Sequence, residues 1–354
     1  MATTALVTGC SSGIGYETAR ALLAAGWRVY ATARDRDRDG LKRLADRGAD
    51  IAALDLTAPD DIDRVVERVR DEAGGVECLI NNAGYGQFGP VEDVPTRLLE
   101  RQFAVHCFGP HRLIRAVLPG MRDRGGGRII TVTSAADRLA LAGIGAYTAS
   151  KWAMASLSDA LRQELTGSGI DIVVVQPGIV RTPFYDRAVT AVDDAAATAR
   201  PVDGAEAMDT DPQGMNRNMT VVSPAGYADL YRILRRLRAV EGGGPFINDP
   251  DRVAATIREA ATVPNPDTHY RVGPVPLLGS LYGTLVPGAI RDRLTALGIR
   301  LAASEPVLDL SSGTRRTHRP IDTPDRGERR RKKPRPGRYR VPAAVPRGTP
   351  RPAA

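Results

Sequence analysis

Short apolar runs alternate with stretches of helical periodicity along most of the chain. The runs predict seven strands, at residues 3–8, 27–33, 51–56, 77–81, 128–133, 170–176 and 269–272. Apolar positions three or four residues apart predict helices at residues 14–25, 41–48, 59–73, 96–122, 146–165, 225–240 and 251–262. This alternation predicts an α/β fold with one doubly wound parallel sheet, covered by helices on both faces. Ligands of such sheets bind at the carboxyl ends of the strands.

Two segments depart from this alternation. Residues 184–222 are rich in Ala, Asp, Thr and Gly and have weak periodicity, which predicts either a mobile lid or disorder. Together with the helix that follows, they form a predicted substrate-lid region at 184–240, within a single domain at 1–310. Pro, Arg and Gly dominate residues 311–354, so we expect a disordered Arg/Pro-rich tail that buries too little surface to fold.

The tail also holds the basic character of the chain. The net charge of the 354 residues is +8, but residues 311–354 alone contain fourteen Lys and Arg against three acidic residues, which leaves the remainder mildly acidic. The run from Arg329 to Lys333 raises nucleic-acid or anionic-lipid binding as an alternative. Since Tyr339 is the one aromatic residue beside it, we favour a solvating tail over nucleic-acid binding.

Other global features limit the classes of protein. No run approaches the roughly 18 apolar residues of a membrane span, which predicts none. The start MATTALVTG resembles a first strand rather than a signal peptide, so we expect a cytoplasmic location. The three cysteines show neither a disulfide framework nor metal-ligand spacing, and we expect no metal.

A glycine-rich turn directly follows the first strand. Gly9, Gly13 and Gly15 lie in TGCSSGIG and open the first helix. Glycines permit a tight turn and a close approach of the backbone to a ligand, and helix N–H groups bind phosphate. The turn therefore predicts a dinucleotide site in a Rossmann-like fold, although an ordinary strand-to-helix turn is the alternative.

The end of the second strand indicates which dinucleotide binds. An acidic residue there would hold the ribose 2′-hydroxyl of NAD, whereas arginine favours the 2′-phosphate of NADP. Ala33 and Arg34 stand at this place, which favours NADP(H) over NAD(H). The alternative is that Arg34 is a solvated charge in the mixed-charge loop that follows.

Tyr147 and Lys151 are the strongest candidates for proton chemistry. Four residues apart in a predicted helix, they lie on one face, one turn from each other. A tyrosine exchanges protons near neutral pH only if its pKa falls from about 10. We expect the charge of Lys151 to lower it.

Several ordered motifs resemble the short-chain dehydrogenase/reductase superfamily over about residues 3–300. They are TGCSSGIG at 8–15, Asp55-Leu56, NNAG at 81–84, Ser134 thirteen residues before Tyr147, YTASK at 147–151 and QPGIVRTPF at 176–184. The segments VYATARD and HYRVG add a similarity to the NADP-dependent group with 17β-hydroxysteroid and retinol dehydrogenases.

This resemblance implies roles for particular residues. It makes Tyr147 the acid/base, Lys151 a group that lowers its pKa and binds the nicotinamide ribose, and Ser134 a hydrogen-bond partner of the substrate oxygen. It also implies a homodimer or homotetramer that pairs through the helices at 96–122 and 146–165. The cofactor-binding residues expected from the motifs are Gly9, Ser11, Ser12, Gly13, Ile14, Gly15, Arg34, Asp55, Leu56, Asn81, Ala83, Gly84, Tyr147, Lys151, Pro177, Gly178, Val180 and Thr182.

One position departs from the family pattern. His106 stands where the family has an asparagine that helps a water link the lysine to solvent. Histidine can both donate and accept, so a substitute relay is one hypothesis, and His106→Asn would then raise turnover. A protonated His106 would instead repel Lys151, and a buried histidine at a local kink of the helix is the third interpretation.

Taken together, the residues predict an NADP(H)-dependent oxidoreductase that interconverts a lipophilic secondary alcohol and a ketone or aldehyde. Apolar residues expected to shape its pocket are Leu139, Leu141, Ile144, Phe184, Tyr185, Tyr227, Leu230 and Tyr231. The alternative, motivated by His106, is a catalytically weak NADP(H)-binding sensor or scaffold.

Overall fold

The computed structural model describes residues 2–198, 226–242, 246–276 and 285–304, together with Gly244 and Tyr282. The predictions for residues 199–225 and for the tail at 311–354 fall outside these described residues.

Seven parallel strands form the central sheet. In sheet order they are β3 Asp50–Ala53, β2 Arg28–Ala33, β1 Thr4–Thr8, β4 Cys78–Asn81, β5 Gly127–Val132, β6 Ile170–Pro177 and β9 His269–Val272. The order reverses between β1 and β4, which opens a crevice at their carboxyl ends, where ligands of doubly wound sheets bind. The predicted α/β fold with a parallel sheet is confirmed.

Helices cover both faces of this sheet. They are α1 Gly13–Ala24, α2 Asp39–Ala45, α3 Pro59–Ala73, α4 Thr96–Phe103, α5 Gly109–Asp123, α6 Gly145–Glu164, α7 Phe184–Thr198, α8 Ala228–Arg236, α9 Pro250–Thr262 and α10 Gly288–Ser304. Helix α3 shows how the sequence sets their ends: Pro59 occupies the first turn, and Gly74 ends the helix in the left-handed conformation at φ 76°.

Alternation along the strands divides the core into two layers. In β1, Ala5 and Val7 face α1, α2 and α9, while Leu6 faces α3 and α5. All three side chains are fully buried. Both faces of the sheet are therefore apolar, as a parallel sheet between two helix layers requires.

Four features differ from the sequence-based expectations. Residues 184–198, expected to be a lid without regular structure, form α7, while the helix expected at 225–240 is α8 followed by a 3₁₀ turn at Leu237–Gly242. Helix α10 was not predicted, nor was a small parallel pair of β7 Ile179–Val180 with β8 Ile247–Asn248. No described helix has the length and apolar character of a membrane-spanning segment.

The long helix predicted at 96–122 contains a π-helical turn. Residues Ala104–Phe108 join α4 to α5, and the N–H of Gly109 donates to the carbonyl of Ala104, five residues earlier. Pro110 has no N–H for the carbonyl of His106, four residues before it, so regular α-helical bonding cannot continue through this point. The turn interrupts α-helical bonding at His106, which is buried there.

Candidate active site

The glycine-rich turn lies at the carboxyl end of β1, against two other loops. Gly9 and Gly13 have φ values of 77° and 60°, which glycine adopts without the cost of a Cβ. A Cβ on Gly9 would lie 2.7 Å from the Cα of Ala83, and one on Gly13 would lie 2.9 Å from Cγ2 of Thr182. The turn therefore needs glycine for both its conformation and its close contacts.

Ser134, Tyr147 and Lys151 meet at the carboxyl end of β5. Helix α6 carries Tyr147 and Lys151, whose Nζ donates to the carbonyl of Val132 at 2.9 Å. Ser134 follows β5, and its hydroxyl is near enough to Tyr147 to favour the phenolate. The three groups form one wall of a cavity, and the glycine turn forms part of another.

Burial dominates the pKa values of Tyr147 and Lys151. It raises the pKa of Tyr147 to about 12, against the lowering effect of the Ser134 hydroxyl. It lowers the pKa of Lys151 to about 8. The prediction that Lys151 brings the tyrosine pKa down is not met in this structure, because the cost of burying a phenolate outweighs the favourable contacts.

His106 lies behind Tyr147, in the π-helical turn and outside the cavity lining. Its Nε2 accepts the backbone N–H of Tyr85 at 3.0 Å, so the proton of the neutral ring is on Nδ1, which lies 3.0 Å from Oγ of Ser150. Ser150 in turn donates to the carbonyl of Tyr147 at 2.7 Å. Both ring nitrogens are thus engaged in structural bonds, whereas the sequence had suggested a proton relay toward Lys151.

The same surroundings keep the imidazole uncharged. Burial and the charge of Lys151 both lower the pKa of His106 well below its ordinary value. Repulsion between a protonated His106 and Lys151, which would have favoured a weakly active protein, is therefore absent at neutral pH. The ring instead packs edge-on against Tyr147, with centroids 5.7 Å apart.

The cavity beside these residues has a volume of about 390 Å³. It gathers most of the residues predicted for catalysis and cofactor binding. Those that line it are Gly9, Ser11, Ser12, Gly13, Ile14, Gly84, Ser134, Tyr147, Lys151, Pro177, Gly178, Val180 and Thr182. Those that do not are Gly15, Arg34, Asp55, Leu56, Asn81, Ala83 and His106.

Three of the predicted cofactor residues, Asn81, Asp55 and Leu56, have other surroundings in the structure. Asn81 is buried, and neither of its side-chain polar atoms has a hydrogen-bond partner. The next residue, Asn82, lines the cavity and donates to the carbonyl of Thr8 at 2.8 Å, which fixes the start of the glycine turn. Asp55 accepts two bonds from Thr57, and Leu56 packs in the core.

Three arginines lie near the outer side of the glycine turn. Arg187 of α7 donates from Nη2 to Oγ of Ser12 at 2.9 Å. Partial burial and the charges of Arg38 and Arg34 lower the pKa of Arg187, so both of these cations lie near enough to Arg187 to repel it. Within the described residues, no carboxylate lies within 4 Å of Arg34 or Arg187.

The far part of the cavity is apolar and aromatic. The ring of Phe184 packs against Tyr147 with centroids 5.5 Å apart, and Phe88 packs against Tyr147 at 5.7 Å. Leu141, Ile144 and Tyr185 also line it, as predicted. Tyr227, Leu230 and Tyr231 lie behind that surface in the apolar cluster that supports it, and Leu139 is not among the lining residues.

Sequence reasoning missed several residues of the site. Asn82, Phe88 and Arg187 line the cavity, and Asp137 lies directly below it. Asn82 could have been found because it directly follows β4 and belongs to the NNAG motif at 81–84. The other three come from loops and from a helix whose position depends on tertiary contacts, and short-range patterns carry no signal for those.

Comparison with known proteins gives a consistent result. A family model described as short chain dehydrogenase matches residues 3–192. The uncharacterized oxidoreductase YbbO of Escherichia coli K12 is 40% identical over 184 residues, which cover 51% of this chain and 67% of YbbO. Retinol dehydrogenase 8 of Bos taurus is 34% identical over 200 residues, covering 54% and 64%. The chain thus spans about two thirds of the length of these relatives.

Solved structures agree with the fold. A short-chain dehydrogenase from Streptomyces avermitilis superposes with a TM-score of 0.62 at 30% identity, covering 86% of this chain and 98% of that one. A metagenomic short-chain oxidoreductase in complex with NADP gives 0.55 at 25% identity, covering 77% and 97%. A Burkholderia phymatum enzyme in complex with NAD gives 0.60 at 19% identity, covering 86% and 98%, which is a likeness of fold alone.

Proposed function

Since the chain belongs to the short-chain dehydrogenase family and is an oxidoreductase of that family, we propose that it reduces a lipophilic ketone or aldehyde, or oxidises the corresponding alcohol, with NADP(H). One observation carries this proposal. Ser134, Tyr147 and Lys151 meet in one wall of a cavity that has the glycine turn in another wall and apolar side chains at its far end.

Tyr147 would exchange the proton with the substrate oxygen. With its pKa raised to about 12, the phenol is neutral at physiological pH and available as a donor to a carbonyl. The Ser134 hydroxyl beside it would hydrogen-bond the same oxygen and stabilise charge that develops there. Lys151, whose pKa is about 8, is mostly protonated at pH 7, and its charge would favour the phenolate left after transfer.

The residues of the cavity fit a dinucleotide. The glycine turn leaves its backbone accessible, and Ser11, Ser12 and Thr182 supply hydroxyl groups along the same surface. Asn82 adds an amide and Lys151 adds an ammonium group to the cavity lining, which also includes Tyr147. A bound NADP(H) would supply or accept the hydride. These side chains would hold it so that the reacting carbon of the substrate lies next to Tyr147.

The charges near the glycine turn support NADP over NAD. Arg34 and Arg38 repel Arg187 there, and a bound anion would relieve this repulsion. Asp35, the acid closest to the end of β2, pairs with Arg38 at 3.2 Å and accepts the N–H of Asp37, so its carboxylate is already engaged. The 2′-phosphate of NADP would therefore lie near positively charged arginines. The ribose 2′-hydroxyl of NAD would have no free carboxylate of Asp35 to bind.

The far end of the cavity supports a lipophilic substrate. Phe88, Leu141, Ile144 and Phe184 contribute apolar surface around the Tyr147 hydroxyl. The polar groups of the cavity are concentrated at the cofactor end and at Ser134 and Tyr147. A substrate with one oxygen and a hydrocarbon body would hydrogen-bond that oxygen to Ser134 and Tyr147. Its remaining atoms would enter the apolar end without losing hydrogen bonds to water.

A comparison of ketones with NADPH and NADH tests this proposal. We expect NADPH oxidation with aromatic or long-chain ketones, and a higher kcat/KM with NADPH than with NADH. Small polar ketones such as pyruvate should react poorly. A chain that binds NADPH but turns over none of these compounds would instead support a cofactor-binding sensor.

A further inference from the structure

A buried carboxylate under the active site has no role in the proton chemistry described above. We propose that Asp137 is a positioning residue: it ties together the two strand ends that carry Ser134 and Pro177 into the cavity. This inference rests on the proposed function and adds a residue to it.

The geometry of this carboxylate is that of a bridge. Asp137 is only 1% exposed. Its Oδ2 accepts the hydroxyl of Thr133 at 2.6 Å, and Nε2 of Gln176 lies 2.8 Å from Oδ1 and 2.9 Å from Oδ2. Thr133 directly follows β5, and Gln176 belongs to the neighbouring strand β6. The side chain of Asp137 therefore links two adjacent strands at their carboxyl ends.

Each partner of Asp137 is adjacent in sequence to a cavity residue. Thr133 precedes Ser134, and Gln176 precedes Pro177 and Gly178. The backbone continues the link, because the N–H of Ala135 donates to the carbonyl of Pro177 at 2.7 Å. A shift of the Asp137 carboxylate would thus move the substrate-binding hydroxyl relative to the cofactor end of the cavity.

The local turn fixes Asp137 itself. Its N–H donates to the carbonyl of Ser134 at 3.1 Å, and Oγ of Ser134 accepts the N–H of Ala136 at 3.2 Å. This compact turn holds the rotamer of Ser134 and directs the Asp137 side chain back under β5 and β6. Ser134 is therefore held by the turn, and the turn is held by the carboxylate.

The charge of Asp137 also reaches the catalytic pair. Within the described residues, no lysine or arginine forms an ion pair with it within 4 Å. Four charged or titratable groups surround it: Arg138 next to it in the chain, His269 on β9, and Tyr147 and Lys151 on α6. Its negative charge raises the pKa of Tyr147, which opposes formation of the phenolate, and it also raises the pKa of Lys151, which keeps the ammonium group protonated.

The substitution Asp137→Asn keeps the volume and removes the charge. Its amide nitrogen would face Thr133 or Gln176, which both donate to the carboxylate, so either the Thr133 hydroxyl turns toward the carbonyl of Val175 or the Gln176 amide flips, and the bridge is rearranged. Because small misplacements of reacting groups are costly, we expect kcat for ketone reduction to fall by at least about tenfold with little change in KM. In alcohol oxidation, loss of the negative charge should move the rise of kcat with pH downward, by about one pH unit.

Two further variants complete the experiment. Asp171→Asn makes the same change at a half-exposed site at the opposite end of β6 and should leave both properties unchanged. Thr133→Val removes one hydrogen bond but keeps the carboxylate. The Thr133→Val variant should lower kcat without shifting the pH profile downward. If the Asp137→Asn protein does not fold, Thr133→Val serves as the test of the bridge in its place.

The outcomes separate this inference from the function on which it rests. An active wild-type chain together with Asp137→Asn and Thr133→Val variants of unchanged kcat and pH profile would overturn the role of Asp137 alone. A wild-type chain that reduces no ketone would overturn the proposed function and this inference with it.

Discussion

At the scale of single residues, the site depends on what burial does to charged groups. Tyr147 and Lys151 were predicted from their spacing alone, and the structure brings them together with Ser134. Their pKa values could not be predicted in the same way, because desolvation depends on the surrounding fold rather than on the spacing. Burial moves the two pKa values apart, up to about 12 for the phenol and down to about 8 for the ammonium.

The pKa of Lys151 has a consequence for stability. Its lowered value means that between about pH 8 and 10.5 the unfolded chain binds more protons than the native chain, so this residue stabilises the protein as pH rises. Relative to a Lys151→Met variant, the wild-type free energy of unfolding should therefore gain about 2 kcal/mol between pH 7 and 9.5.

Urea unfolding of both chains at the two pH values measures this gain. Other titrating groups, including the three buried cysteines, are common to both proteins and cancel in the difference. A difference that does not change with pH would show that Lys151 has an ordinary pKa in the native protein.

His106 should act on stability rather than on proton transfer. The substitution His106→Asn removes the imidazole that joins Tyr85 to Ser150, and a buried donor left unpaired costs about 1–3 kcal/mol. We therefore expect a lower free energy of unfolding and no gain in turnover, contrary to the expectation from sequence. His111→Asn, at an exposed position on α5, is the matched control. A variant with unchanged stability and higher kcat would restore the relay hypothesis.

The arginines should decide the choice of cofactor. Replacing Arg34 by Asp puts a carboxylate where the 2′-phosphate of NADP would bind, so the kcat/KM ratio of NADPH to NADH should fall by at least about tenfold. The control Arg36→Asp makes the same change in charge two residues later in the same exposed loop. Equal ratios for the Arg34→Asp and wild-type chains would mean that Arg34 is a solvated charge.

At the scale of elements, most strands and helices could be predicted because each has its own periodicity. The exceptions are informative. The π-helical turn at Ala104–Phe108 has no periodic signature and depends on Pro110 and on the bonds of His106. Helix α7 was missed because its Ala- and Asp-rich sequence shows weak periodicity, and its position comes from contacts of Phe184 and Arg187 with the site.

These contacts predict that α7 responds to the cofactor. Arg187 already bonds Ser12 of the glycine turn, so NADPH bound there would hold α7 through the same arginine. We expect NADPH to slow amide hydrogen exchange in residues 184–193, while α3 on the other side of the sheet stays unchanged. In Arg187→Ala at saturating NADPH, this protection should be weaker. Equal protection in both chains would show that Arg187 does not couple α7 to the cofactor.

At the scale of the whole molecule, assembly stays a prediction from the family resemblance. Helix α6 exposes 49% of Trp152, and burying a large apolar side chain contributes about 1.5–3 kcal/mol. Light scattering should therefore give a mass two or four times that of the 37.9 kDa chain, and Trp152→Glu should lower it. Ile290→Glu on α10, where the residue is equally exposed, is the control. A monomeric wild-type chain would contradict the prediction.

Tyr147 is the residue that we propose transfers the proton in a hydride-transfer reaction with NADP(H). The most direct test of this role is Tyr147→Phe, which removes the hydroxyl and keeps the ring that packs against Phe88 and Phe184. Fluorescence titration should give an NADPH affinity close to that of wild type, while kcat for ketone reduction falls by about 10²–10⁴-fold. A Tyr147→Phe chain that binds NADPH and reduces the ketone at the wild-type rate would contradict the account.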